Sequence, residues 1–399
     1  MFWSRYVSIG SLRENHLRQD FGGCSLRIMH VATLVTPDGA YGGPLRVALN
    51  QLAELQAMGH ETLFVGGYRG YEDGPPTSME NVRMKLFPVM HPAKKFGFAT
   101  MFSIPMLRWI WTHASNYDIV HIHLARDMIT MPVARMLTSL KIPYVVQSHG
   151  MIDESNKILA KALDLALTRS ALHHAQSVAY LTPEEKRSLA GVFGLGGSLV
   201  NLPNGVPRAS VQNIQPAKRQ VLFLARMHSR KRPTAFVEAA LELHEHFPEV
   251  TFALVGPDEG EAAEVSTMIQ NGTTGAWLNW EGALDPGLTL SRMRGATIYV
   301  LPAVDEPFPM SVLEALSLGI PVVITDTCGL APFVEGAGAG IVTDGSVQDL
   351  VEAIKLLLTD DTARRGMAKS ALDLARSTFE MGAVAVRLES LYVSASGKS

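Results

Sequence analysis

Cysteine is nearly absent from the 399-residue chain: Cys24 and Cys328 are the two, far apart and outside any C-x-x-C pair. A disulfide scaffold and a structural zinc site therefore have no support, and a reducing, cytoplasmic setting is expected. An excess of one charge is missing too. The 35 Lys and Arg stand against 38 Asp and Glu, a net of −3, which excludes the profile of a general nucleic-acid binder. No apolar run reaches the ~18 residues of a membrane span. Residues 1–25 carry Arg5, Arg13, Glu14, Arg18 and Asp20 and have no apolar core of the secretory kind. They read as a disordered N-terminal extension. Several chemical signatures are missing as well. There is no Asp-x-Asp, no H-E-x-x-H, no G-x-G-x-x-G, no Walker lysine loop and no Gly-x-Ser-x-Gly. No metal site is expected, and serine hydrolase, P-loop and nicotinamide-dinucleotide chemistry lose their usual anchors.

What is present is an ordinary globular composition, 47% hydrophobic and 18% charged. Residues 1–205 hold 19 Lys and Arg against 15 Asp and Glu, whereas the remainder holds 16 against 23. Such a split fits either one half facing an anionic partner or plain scatter between two solvated surfaces. Order is expected from Leu26, where LRIMHVATL reads as a buried strand. A Gly42-Gly43-Pro44 loop, a helix-spaced run to Met58 and the strand HETLFVGG follow, which makes a βαβ unit. The alternation continues to Asn201-Leu-Pro-Asn-Gly, breaks in a polar linker over 208–219, and restarts at VLFLAR. Two successive alternations imply an α/β chain of two Rossmann-like domains facing each other across a cleft. The expected division is 26–206 and 207–376, with a terminal helix over 377–393 packing back on the first domain.

Ligands of doubly wound sheets bind beyond the carboxyl ends of the strands, so strand-end loops hold the candidates. Gly42 and Gly43 open a helix whose first amides attract anions, unless the pair is merely a turn. Arg226 and Lys231, five residues apart after VLFLAR, can converge on a diphosphate; the alternative is a solvated basic loop. Glu306 stands before a short helix, and Glu314 lies within it among apolar neighbours. A carboxylate there can accept two hydrogen bonds from a vicinal diol, or it can simply flank the helix. His121 and His123 share one strand face, where ordinary hydrogen bonds account for His121. His149, before Gly150, stands at a strand end and is expected to be exposed.

These residues, in this order, resemble the retaining, nucleotide-sugar-dependent glycosyltransferases of family 4 (group 1), which have the GT-B fold. The resemblance runs from about Leu26 to Tyr392. Its most specific part is E-x7-E, here Glu306-PFPMSVL-Glu314 continuing into EALSLGIPVVITD. YGGPLRVALNQLAELQAMGHE, QSHG, LPNGV, ARMHSRKRP and LVGPDEGE also match in order. The resemblance implies that Glu306 contacts donor-sugar hydroxyls and Glu314 the ribose. Arg226 and Lys231 would clamp the diphosphate, and His149 would touch the transferred sugar. Gly42, Gly43, Phe308, Met310 and Ser311 would line the donor site. No bound cofactor is implied, the nucleotide sugar being a substrate. GDP-mannose and UDP-hexoses both fit, with a glycan or lipid-linked acceptor in polysaccharide or glycoconjugate synthesis. Three positions depart from the family: Pro309 and Ala225 where glycine is usual, and Arg232 after the lysine. Pro309 removes a backbone N–H near the donor.

Residues 91–112 combine Lys94 and Lys95 with Phe96, Phe98, Phe102, Trp109 and Trp111. The plainer account is a core helix with a loop over the sheet. The sharper one is a peripheral contact with an anionic leaflet at the inner face of the plasma membrane. Rival functions are a nucleotide-sugar epimerase or hydrolase on the same fold, an inactive sugar-nucleotide binder, and a periplasmic binding protein. The intact Glu306, Arg226, Lys231 and Glu314 favour transfer.

Overall fold

A computed structural model describes residues 25–37, 42–92, 99–152, 167–193, 198–208, 219–272 and 275–398. The N-terminal extension before Ser25, most of the 208–219 linker, and Lys94, Lys95, Phe96 and Phe98 lie outside the described residues.

The first sheet has eight strands: β1 (Arg27–Val35), β2 (Glu61–Tyr68), β3 (Ser78–Met79), β4 (Val82–Pro88), β5 (Ile119–His123), β6 (Tyr144–Gln147), β7 (Ser177–Tyr180) and β8 (Leu199–Asn201). Their order is β3-β4-β2-β1-β5-β6-β7-β8, parallel apart from the short edge pair β3–β4. The second sheet holds β9 (Gln220–Leu224), β10 (Thr251–Val255), β11 (Leu278–Trp280), β12 (Ile298–Leu301), β13 (Val322–Thr325) and β14 (Gly340–Thr343). Its order is β11-β10-β9-β12-β13-β14, all parallel. Each sheet starts in the middle and winds out both ways, so strand order reverses at β1/β5 and at β9/β12. The central strands β5, β12 and β13 are buried along their whole length, as expected where helices cover both faces.

The helix Asp361–Thr378 lies in the core of the second domain through Ala371, Leu374 and Ala375. The last helix, Met381–Ser396, instead buries Met381, Val384, Ala385, Leu388 and Tyr392 against the first sheet and the helix Gly42–Ala57. The chain passes between domains near Val206 and again near Glu380. The two crossings are zipped by the amide of Val206 on the Phe379 carbonyl (2.8 Å) and the amide of Met381 on the Val206 carbonyl (3.0 Å).

Candidate active site

The two reversal points face each other across a cleft of about 420 Å³. Nine of the ten expected site residues line it: Gly43, His149, Arg226, Lys231, Glu306, Phe308, Met310, Ser311 and Glu314. Gly42, the tenth, begins the helix Gly42–Ala57.

On the second domain, Arg226 leaves the end of β9 and Lys231 ends the 3₁₀ turn Ser229–Lys231. Arg232 stops that turn in a left-handed conformation (φ 53°), and Pro233 then starts a helix with its fixed φ. Lys231 Nζ donates to Glu306 Oε2 at 2.5 Å. Arg226 is held by Glu259 Oε2, also at 2.5 Å, and Arg230 donates to the Asp305 carbonyl. The two cations thus do project into the cleft, but each has a carboxylate partner already. Lys231 and Glu306 act on each other as well as on anything that enters.

The helix Met310–Ser317 sits behind them, with Pro309 as its N-cap, where a missing N–H deprives no intrahelical bond. Ser311 Oγ accepts from Tyr299 Oη at 2.7 Å. Phe308 is buried edge-on against Phe379, with ring centroids 5.8 Å apart. Glu314 is buried, and burial raises its carboxyl from the ordinary 4.5 to about 7, against the pull of Arg46 and with a push from Glu80. Arg46 comes from the opposite domain. Its Nε lies 3.6 Å from Glu314 Oε1, and it also donates to Glu80.

On the first domain, Gly43 opens onto free space, with nothing within 4 Å of where a Cβ would stand. His149 and Gly150 follow β6, both with positive φ (52° and 72°). His149 is half-buried rather than exposed, because its ring stacks on His123 with centroids 5.0 Å apart. Burial pushes its imidazole down to about 3. Glu185, in the first turn of the helix Pro183–Phe193, fixes this left-handed loop. Its Oε1 accepts from Ser148 Oγ and from the amide of Gly150, both at 2.6 Å, and its Oε2 from the amide of Leu181 at 2.6 Å. His121 is hydrogen-bonded through Nδ1 to Tyr392 Oη at 2.6 Å, yet its Nε2 has no partner among the described residues. Ordinary pairing therefore accounts for only half of that ring. No metal-holding group of three or more His, Cys, Asp or Glu occurs among the described residues.

Of the 91–112 segment, the helix Ile104–His113 buries Met106 and Ile110, and Trp109 stacks on His113. Trp111, Ile104 and Met90 are exposed. No helix among the described residues is long and apolar enough to cross a membrane.

Arg46, Glu185, Glu259 and Tyr392 escaped the sequence reading. Arg46 lies inside the quoted YGGPLRVALNQLAELQAMGHE and Glu259 inside LVGPDEGE, whereas Glu185 and Tyr392 are ordinary helix residues whose partners are remote in sequence.

The family described as "Glycosyl transferases group 1" matches residues 209–373, and that described as "Glycosyl transferase 4-like domain" matches residues 42–205. The chain is 24% identical over 310 residues to the D-inositol 3-phosphate glycosyltransferase of Corynebacterium diphtheriae, covering 70% of this chain and 71% of that one. It is 32% identical over 153 residues to the N,N'-diacetylbacillosaminyl-diphospho-undecaprenol alpha-1,3-N-acetylgalactosaminyltransferase of Campylobacter jejuni, 38% of either chain. Among solved structures, sucrose-phosphate synthase from Thermosynechococcus elongatus superposes with a TM-score of 0.72 at 18% identity, over 94% of this chain and 100% of that one. Anabaena HepE in complex with UDP and glucose gives 0.72 at 16% identity, over 92% and 100%. The two family matches meet at the crossing between the two sheets, and the chain belongs to the group 1 glycosyltransferases of the GT-B type.

Proposed function

We propose that the chain transfers a hexosyl group, with retention, from a nucleoside-diphosphate sugar to a glycan or lipid-linked acceptor. The observation that carries this is the convergence of Lys231, Glu306, Arg226 and Glu314 on one wall of the cleft, opposite His149. In the reaction the bond between the anomeric carbon and the diphosphate oxygen breaks, and the acceptor oxygen bonds to that carbon from the same face. The electron pair leaves on the diphosphate, where Arg226 and Lys231 stabilise the growing charge. Lys231 has three N–H donors, so it can keep Glu306 and still reach a phosphate oxygen. A phosphate oxygen of the departing diphosphate takes the acceptor proton. Glu306 accepts from sugar hydroxyls, and Glu314 from a ribose diol. Glu314 does so best once ionised.

GDP-mannose and UDP-hexoses are the donors to test; HepE, a structural neighbour, binds UDP-glucose. The exposed Trp111, Ile104 and Met90 suit a peripheral contact that brings a lipid-linked acceptor to the first domain. A nucleotide-release assay over a panel of GDP- and UDP-sugars, with EDTA present, tests the reading. Release from one donor, strengthened by an acceptor extract and lost in Glu306→Ala and Lys231→Ala, supports it. Release that an acceptor leaves unchanged indicates a hydrolase, and no release or donor-induced thermal shift indicates an inactive protein.

A further inference from the structure

A continuous chain of ring hydrogen bonds runs from the cleft to the C-terminal helix. His149 Nε2 meets His123 Nδ1 at 2.7 Å, and His123 Nε2 meets His30 Nδ1 at 3.1 Å. His30 Nε2 then meets Tyr392 Oη at 2.8 Å, and the same hydroxyl meets His121 Nδ1 at 2.6 Å. The strands dictate this geometry. His30 and His121 are register partners on the adjacent parallel strands β1 and β5, and His123 is two residues further along the same face. Burial keeps His30, His121 and His123 well below the ordinary histidine value, so these rings are neutral.

Each neutral imidazole has one donor and one acceptor nitrogen. Fixing one ring therefore fixes all of them, and only two arrangements satisfy every bond. In one, His149, His123 and His30 carry hydrogen on Nε2, each donates toward the helix, and Tyr392 donates to His121. In the other all three carry it on Nδ1, each donates toward the cleft, and Tyr392 donates to His30. Exchanging them by proton hops would require a proton to enter or leave at His121 Nε2. That atom is buried without a partner among the described residues, so the chain is a dead end for protons.

We infer that His123, His30 and Tyr392 are positioning residues, which together with His121 hold His149 in a single neutral tautomer and so decide whether its free ring nitrogen, Nδ1, donates to or accepts from the transferred sugar. The proposal rests on the contact with the transferred sugar that the family resemblance implies for His149 only for its effect on turnover; the tautomer lock itself is a property of the free protein.

The test is ring nitrogen-15 NMR on histidine-labelled full-length protein, parent against Tyr392→Phe, with resonances assigned by single-histidine variants. The parent should show one tautomer at His149. Tyr392→Phe ends the chain at His30, and the His149 nitrogens should move to the other tautomer or to an average. Unchanged His149 resonances would overturn the proposal. Leu388→Ala thins the same helix seat without touching the wire, and it should leave those resonances where they are. Should Tyr392→Phe not fold, His121→Phe removes the dead end and should alter His149 in the same readout. With a donor in hand, Tyr392→Phe should lower kcat about tenfold while KM for the donor stays within about twofold. An unchanged kcat would overturn the catalytic half. Failure of the donor panel would leave the NMR result to stand or fall alone.

Discussion

Lys231 and Glu306 hold each other at 2.5 Å with little solvent around either side chain. Removing one partner strands the other's charge, whereas removing both does not. Lys231→Met should therefore destabilise the fold by about 2 kcal/mol. The double variant with Glu306→Gln should recover part of that loss in chemical denaturation. Turnover should behave differently, falling about 100-fold or more in Lys231→Met with no recovery in the double variant. Recovery of activity in the double variant would show that Lys231 serves Glu306 alone. Glu314 makes a pH-dependent claim. Between 4.5 and about 7 the unfolded chain has lost the Glu314 proton that the folded chain keeps. The folded state then binds more protons, so this group's contribution to stability falls as pH rises through that window, by about 3 kcal/mol in all. Denaturation midpoints measured from pH 5 to 7 should therefore drop less steeply in Glu314→Gln. A slope equal to the parent's would assign the dependence to other groups.

The loop after β6 gets its shape from elsewhere. His149 and Gly150 are both left-handed, and a Cβ on Gly150 would stand 2.6 Å from Pro307 Cγ, beside Glu306 on the opposite domain. Gly150→Ala would add about 1–2 kcal/mol of backbone strain and force the two loops apart, so donor turnover should fall even where the protein stays folded. Glu185→Gln should be as damaging. A carboxylate that accepts from Ser148, Gly150 and Leu181 becomes an amide whose NH₂ faces one of those donors, at about 2–3 kcal/mol. Thermal unfolding and turnover should drop together. These elements also mark where sequence reading succeeds and fails. Glu306, Glu314, Arg226 and Lys231 were legible because one strand-end loop or one helix start carries each pair at short spacing. The Glu185 clamp reaches 35 residues back to Gly150, and Arg46 meets Glu314 only across the cleft. No periodicity encodes such contacts, because each depends on how two elements dock. From sequence alone His149 reads as exposed for the same reason: the ring that half-covers it, His123, lies on β5, whereas His149 sits in the loop after β6.

At the scale of the whole molecule, the chain finishes on the domain it began with. The two β/α alternations are readable from spacing and turn residues, and the last helix does return to the first domain as expected, but spacing alone does not show its seat, an apolar face of the first sheet. That face includes Ile28, Ala32, Ile119 and Val145, and the helix covers it with Met381, Val384, Leu388 and Tyr392. At about 2 kcal/mol for each large side chain, their burial contributes about 8 kcal/mol. A domain's entire stability is typically about 5–15 kcal/mol. A chain ending at Phe379 should therefore lose the first domain, not merely a tail. It should accumulate in aggregates, or show cooperative unfolding of the second domain alone. A chain ending at Ser396 keeps the helix and loses the Lys398 contact with Asp118, which Arg27 still partners. Its unfolding should stay within a few degrees of the parent. If the shorter chain instead unfolded at the parent's midpoint, the first sheet would be stable without its cover. The coupling of the C-terminal helix to the cleft would then run only through Tyr392 and its histidines.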